Sequence, residues 1–143
     1  MLEASKFRFS IGIDVRFADM DSLGHVNNAV FLTYFEQARM AYWMHVTGRT
    51  HLRDMDMILA RAEVDFRSPL AHPEAIEVGV ACTSIGRTSF VLEQDMHERK
   101  TGRLVAEARK VLVYYDYVAG RPKPIGEDLR KMILAENPDV KQK

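Results

Sequence analysis

Residues 16–43 read RFADMDSLGHVNNAVFLTYFEQARMAYW, and the order of residue types along this stretch decides the fold. Two carboxylates, Asp19 and Asp21, precede a turn at Gly24, and His25-Val26-Asn27-Asn28 leads into a long, mostly apolar run. Asp, Ser and Gly over 18–26 mark a loop. Asn27 or Asn28 can cap the helix behind it, since an Asn side-chain oxygen accepts from an otherwise unpaired N–H of the first turn. Asn28 to Val46 contains neither Pro nor Gly, and Gly48 is a natural terminator. Such a helix is about 28 Å long at about 1.5 Å per residue. Aromatic and aliphatic residues from Val30 to Met44 cover most of its circumference, and only Thr33, Glu36, Gln37, Arg39 and His45 interrupt them. A helix apolar nearly all round is expected to be buried, and these polar residues argue against a transmembrane span.

Outward from this stretch the pattern changes period. Upstream, Phe7, Phe9, Ile11, Ile13, Val15 and Phe17 alternate with polar residues or glycine, the mark of a half-buried strand. Downstream, after a polar linker over 49–56, four more strand-like runs follow. Ile58, Ala60, Ala62, Val64 and Phe66 form the apolar side of the first, and Ser68-Pro69 ends it. Ile76 to Cys82, Phe90 to Met96 and Leu104 to Tyr115 form the others, separated by Ile85-Gly86-Arg87 and Arg99-Lys100-Thr101-Gly102. Short connections make these four strands antiparallel neighbours. Ile125 to Ala135 reads as a terminal helix through Leu129, Met132 and Ile133.

The expected fold is therefore α+β: a single domain over 1–143 in which a curved antiparallel sheet wraps around one long central helix. Four or five twisted strands leave edges and part of the helix uncovered, so a homodimer continuing the sheet across two subunits is expected, with a homotetramer also open.

Composition limits the function classes. Twenty basic and twenty acidic residues balance, so no basic field points to nucleic acid. Cys82 is the single cysteine and can form no intrachain disulfide. The amino-terminal MLEASKFRFS lacks the apolar core of a signal peptide, and no apolar run reaches the ~20 residues of a membrane span. A cytoplasmic location without membrane insertion is the expectation. The five histidines show no paired ligand spacing, so no metal or other cofactor is expected. Nucleophile-elbow, P-loop and dinucleotide fingerprints are absent.

Asp21-x-x-Gly24-His25-Val26-Asn27-Asn28, followed by an aromatic helix, resembles the hotdog-fold acyl-CoA thioesterases, specifically the 4-hydroxybenzoyl-CoA thioesterase-like family. The likeness runs from about Phe9 to Arg130 and includes Asp65-Phe66-Arg67-Ser68-Pro69-Leu70 and Ser84-Ile85-Gly86-Arg87-Thr88-Ser89-Phe90. In that family the second Asp of the D-x-D-x-x-G pattern is the catalytic carboxylate, which matches Asp21. The backbone N–H that polarises the thioester carbonyl falls on Asn28. His-Val-Asn-Asn is also similar to plant acyl-carrier-protein thioesterases, which carry an Asn where this chain has Leu23.

The resemblance implies hydrolysis of an acyl-CoA to free acid and coenzyme A. That reaction needs an attacking group or activated water, and a positive site for the developing oxyanion, which a helix N-terminus supplies. Asp21 can act as nucleophile or general base, or shape the loop as an Asx turn. Asp19 is expected to be a structural loop carboxylate. His25 can hydrogen-bond the substrate, orient the loop, or simply pack. Asn27 is a substrate-binding candidate as well as a cap. Arg87, Thr88 and Ser89 match the family segment nearest the coenzyme A phosphates, against the alternative of a plain hairpin turn. Arg61, Arg67, Lys110 and Arg121 are further phosphate candidates, undistinguished by sequence. Tyr34, Tyr42 and Trp43 can line an acyl tunnel or belong to the core. Two alternatives accompany the thioesterase reading: a non-catalytic acyl-CoA-binding hotdog module, and a hydratase or dehydratase on the same fold using His25.

Overall fold

The computed structural model describes residues 6–143; the first five, part of the amino-terminal stretch read above, lie outside the described residues. Five long strands form one antiparallel sheet in the order β1-β3-β4-β5-β2. These are β1 (Phe9–Asp14), β2 (Met57–Phe66), β3 (Ala75–Ile85), β4 (Ser89–Glu98) and β5 (Leu104–Asp116). Helix α1 (Asn28–Thr47) packs on its inner face, and α2 (Glu127–Glu136) lies beside α1. Two-residue strands β6 (Arg121–Pro122) and β7 (Lys141–Gln142) pair with β5 and β3 respectively. This is the curved sheet around a central helix that the sequence leads one to expect.

The core forms where the two periods meet. Phe31, Tyr34, Phe35, Ala38, Tyr42 and Trp43 of α1 are buried against Ile76, Val78 and Val80 of β3, Phe90, Leu92 and Met96 of β4, and Ala106 and Leu112 of β5. The Trp43 ring stacks on Phe90 with centroids 5.0 Å apart, and its indole N–H donates to Asp56 at 3.0 Å. Gly48 ends α1 at φ 75°, in the left-handed region that glycine enters without penalty. At the far end of the chain Asn137 joins two elements at once. Its Oδ1 accepts from the Tyr42 hydroxyl at 2.5 Å and from the Cys82 backbone N–H at 3.0 Å.

Four expectations need correction. First, the apolar circumference of α1 does not mean burial all round: Leu32 and Gln37 are exposed and Leu32 keeps 46% of its surface, in line with the expectation that the strands leave part of the helix uncovered. Its uncovered face lies beside β2, where no further strand follows. Second, β2 and β3 are not neighbours. β2 crosses to the outer edge and pairs with β5, while β3 lies between β1 and β4. The eight residues at 67–74 form this crossover, and they contain no glycine that would fold them into a tight hairpin. Third, the alternation in β2 is broken. Leu59 faces Leu112 and Arg61 faces Val111, so Ala60 is an extra residue in a β-bulge. Ile58, opposite Val113, therefore turns to the outer face, and Leu59 takes the inner one. Fourth, β1 ends at Asp14, and Phe17, the last residue of its apparent alternation, is 75% exposed.

Candidate active site

The loop between β1 and α1 folds into a compact reversal. Phe17–Asp19 makes one 3-10 turn, and Met20 and Val26 then face each other as an antiparallel bridge. Across it the Asp21 N–H donates to the His25 carbonyl at 2.9 Å, and the Gly24 N–H to the Asp21 carbonyl at 3.1 Å. Gly24 closes the turn at φ 83°, a conformation L side chains seldom adopt. The Val26 N–H reaches the Leu70 carbonyl at 2.7 Å, which pins the loop to the β2–β3 crossover. Arg103 braces that crossover in turn, donating to Ser68 Oγ at 3.1 Å, and to the Pro69 carbonyl and Glu74 at 3.0 Å each.

The two loop carboxylates have different surroundings. Asp19 is 3% exposed and accepts from the Arg16 backbone at 3.0 Å, the Arg16 guanidinium at 2.8 and 3.1 Å, and the Tyr34 hydroxyl at 2.5 Å. Burial pushes its carboxyl up, but hydrogen bonds from Arg16 and Tyr34 outweigh that and bring it to about 2. The Tyr34 phenol moves up, through its own burial and then through Asp19. Asp19 is thus an ionised anchor with its acceptor sites occupied.

Asp21 is half-buried and more lightly held. Its Oδ1 accepts from the Leu23 N–H at 2.9 Å, an Asx turn, while its Oδ2 lies 3.4 Å from Asn27 Nδ2. Asn27 is the helix cap: its Oδ1 accepts from the Ala29 N–H at 2.9 Å, and its carbonyl accepts from the Val30 N–H at the same distance. Asn28 is the first helical residue and exposed. As at any helix start, its N–H has no intrahelical carbonyl to meet. One side chain, Asn27, therefore touches both the carboxylate and the positive end of the helix dipole.

The other candidates are spread out. His25 is exposed on the rim of a hollow shared with Pro69, Glu74 and Arg103. Arg87, Thr88 and Ser89 lie at the β3–β4 hairpin, where the Arg87 and Thr88 carbonyls accept from Ile125 and Tyr114 at 2.8 Å. Asp21 sits at the Ala75 end of β3, and this hairpin at the Ile85 end. Eleven residues of β3 span the gap, roughly 35 Å at about 3.3 Å each, so one chain does not bring the two groups together.

Among the further phosphate candidates, Lys110 is 1% exposed and cannot meet a phosphate on the rim. Arg61 on β2 pairs with Glu63 at 3.0 Å, Arg67 at the start of the crossover pairs with Glu107 at 2.7 Å, and Arg121 is exposed on β6. Tyr42 and Trp43 belong to the core, and burial pushes the Cys82 thiol up to about 12, as suits an inert packing residue. Sequence reasoning did not single out the Asp19–Tyr34 pair or the Arg103 brace. Both depend on contacts across long sequence separations and leave no local signature. Among the described residues no group of three or more His, Cys, Asp or Glu side chains is placed to hold a metal ion.

Comparison with known proteins agrees with this architecture. The model of the thioesterase-like superfamily matches residues 15–133. A thioesterase from Thermus thermophilus, solved in complex with coenzyme A and zinc, is 37% identical. The alignment covers 92% of this chain and 96% of that one, with a TM-score of 0.82. A predicted thioesterase from Bacillus stearothermophilus is 27% identical over 94% of this chain and 98% of its own, with a TM-score of 0.83. YsmA, an uncharacterized protein of Bacillus subtilis (strain 168), is 25% identical over 88 residues, 62% of this chain, and the match spans 60% of the curated relative's length. No helix is long and apolar enough to cross a membrane among the described residues. The chain belongs to the thioesterase-like superfamily and is by family a thioester hydrolase on the hotdog fold.

Proposed function

We propose that this protein hydrolyses acyl-CoA thioesters to a free acid and coenzyme A, with Asp21 as nucleophile or general base and the Asn28 N–H as oxyanion donor. The observation that carries this reading is the Asn27 bridge, which ties the Asp21 carboxylate to the first turn of α1. A thioester whose carbonyl oxygen points at the helix start has its carbon presented to that carboxylate. As the tetrahedral centre forms, negative charge grows on the oxygen, where the helix dipole and the free N–H stabilise it. Asp21 either adds to the carbon, giving a mixed anhydride that water then cleaves, or takes a proton from the attacking water. Coenzyme A leaves as its thiolate in both cases. The likeness to a thioesterase solved with coenzyme A supports a coenzyme A ester as substrate.

A homodimer completes the site. β2 is an uncovered edge of ten residues that exposes Leu59 and Phe66, a surface that invites pairing. Two β2 edges pairing antiparallel about a two-fold axis set the Met57 end of one against the Phe66 end of the other. Arg87 to Ser89 lie at the Met57 end, since Ser89 and Ile58 both face Val113. The Asp21 loop lies at the Phe66 end, where Phe31 meets Phe66 with ring centroids 5.4 Å apart. The two-fold therefore delivers the Arg87 hairpin of a second copy to the Asp21 end of the first, within reach of the coenzyme A phosphates. The test is thiol release from a panel of acyl-CoAs by the wild type and Asp21→Asn. Release that disappears in the variant is expected. Binding without release would favour the acyl-CoA-binding module.

A further inference from the structure

The fold takes two neighbouring cations out of water and gives them little to pair with. Lys110 on β5 is 1% exposed and Arg39 on α1 is 7% exposed. The Lys110 ammonium sits 4.4 Å from the centre of the Phe35 ring, and the buried Arg39 Nε has no hydrogen-bond partner. Glu36, 3.6 Å from Arg39, is the carboxylate of this layer, and its side chain is 59% exposed. The elements packed around Lys110 bring no second one: Ala62 faces it from β2 and Leu92 from β4, and nearby Gln94 donates to the Phe35 carbonyl. Two buried positive charges thus share one water-facing anion. A methionine would fill the space of Lys110 without the desolvation cost, so packing alone does not call for this arrangement.

Both cations line a cavity of about 180 Å³ on the uncovered face of α1, with Leu32, Glu36, Leu59 and Ala62. Glu36 lies eight residues beyond Asn28, about 12 Å along the helix. Helical side chains lean toward the N-terminus, so Arg39 reaches back toward that level. An acyl chain starting at the Asn28 N–H would run past Leu32 and Leu59 and end at the two cations.

We propose, resting on the thioesterase reading above, that this groove holds the substrate's acyl group and that Lys110 and Arg39 bind a carboxylate at its far end. The preferred substrates are then coenzyme A thioesters of dicarboxylic acids. The incoming carboxylate replaces Glu36 beside Arg39 and neutralises the buried charge. Burial, then the neighbouring Arg39, lower the Lys110 ammonium to about 7 against the opposing pull of Glu36, so its charge falls within the working pH range. The bound anion favours the charged form.

The experiment compares suberyl-CoA with octanoyl-CoA, equal in carbon number and different only at the far end. Rates are measured on the wild type, Lys110→Met, Lys110→Arg and the Lys110→Met/Arg39→Met double variant. Calorimetry on Asp21→Asn measures the binding of both esters without turnover. We expect at least a tenfold preference in kcat/KM for suberyl-CoA at pH 6, smaller at pH 9, retained by Lys110→Arg and abolished in the double variant. Equal handling of the two esters by the wild type overturns the proposal, as does a preference unchanged in folded Lys110→Met or unchanged with pH. Should Lys110→Met not fold, the wild-type pair and its pH series decide alone. Absence of thiol release from every ester removes the thioesterase reading, and the calorimetric preference still decides the anion site.

Discussion

The Tyr34 hydroxyl donates to the Asp19 carboxylate at 2.5 Å, tying the first turns of the central helix to the loop that carries Asp21. Removing the carboxylate leaves a buried phenol without its acceptor and frees Arg16, so Asp19→Ala should destabilise the protein by about 2–3 kcal/mol in urea unfolding. The acid response follows from the same contacts. The Asp19 carboxyl lies at about 2 when folded, below its ordinary value of 3.8. Its contribution is therefore complete above pH 4 and is lost as pH falls toward 2. Asp19→Asn should lack this part of the acid transition. An identical acid profile in wild type and variant would contradict the assignment.

Asp21→Asn separates chemistry from loop shape. The amide oxygen can still accept from Leu23, so the melting temperature should change little while kcat falls by roughly 10²–10⁴. A variant that turns over normally would remove Asp21 from the reaction.

Asn27 acts on both fold and chemistry. Asn27→Ala loses the helix cap, at a cost of about 1 kcal/mol, and also the contact that orients Asp21. Asn27→Ser keeps a capping oxygen but has no amide group to offer Asp21. It should recover most of the stability and little of the rate, as denaturation and initial-rate measurements in parallel would show.

The shared-site dimer predicts complementation. Asp21→Asn and Arg87→Ala should each be weakly active, but subunits mixed and reassembled at random should recover roughly a quarter of wild-type activity. Half of those dimers are mixed, and each carries one site with both residues intact. Recovery no greater than the mean of the two parents would place the site within one chain.

Lys110 also leaves a signature in stability. Its ammonium lies at about 7 in the folded chain and at its ordinary 10.5 when unfolded. Between these values the unfolded state binds more protons, so this group makes the protein more stable as pH rises from 7 to 10.5. Its penalty is greatest below 7. Lys110→Met should be more stable than wild type at neutral pH and lose that rise, measured by chemical denaturation across the alkaline range.

The sequence is most legible where one residue type does one local job. The alternation of Phe9, Ile11 and Ile13, the Asn27 cap, the Gly24 and Gly48 turns and the aromatic helix all carry their structure within a few neighbours. The Asp21 motif is legible for the same reason: the Asp21 turn and the Asn27 cap lie six residues apart. The crossover of β2 is not legible, because strand order depends on partners far along the chain. Nor is the bulge at Ala60, which needs the register against β5 before the inward positions can be assigned. Lys110 looks like one more surface cation in an alternating strand until α1 is laid over it.

The double grip of Asn137 has a consequence for biosynthesis. Tyr42 and Cys82 are 40 positions apart in sequence, and both wait for an acceptor that lies 95 and 55 positions further along. On the ribosome the emerging helix and the first strands can associate, but this junction cannot close until the carboxy-terminal segment clears the exit tunnel. Final consolidation should therefore be a late event, following the association of the helix and the first strands. A stalled nascent chain ending before residue 137 should be cut readily by protease near Tyr42, and one extended well past that point should resist.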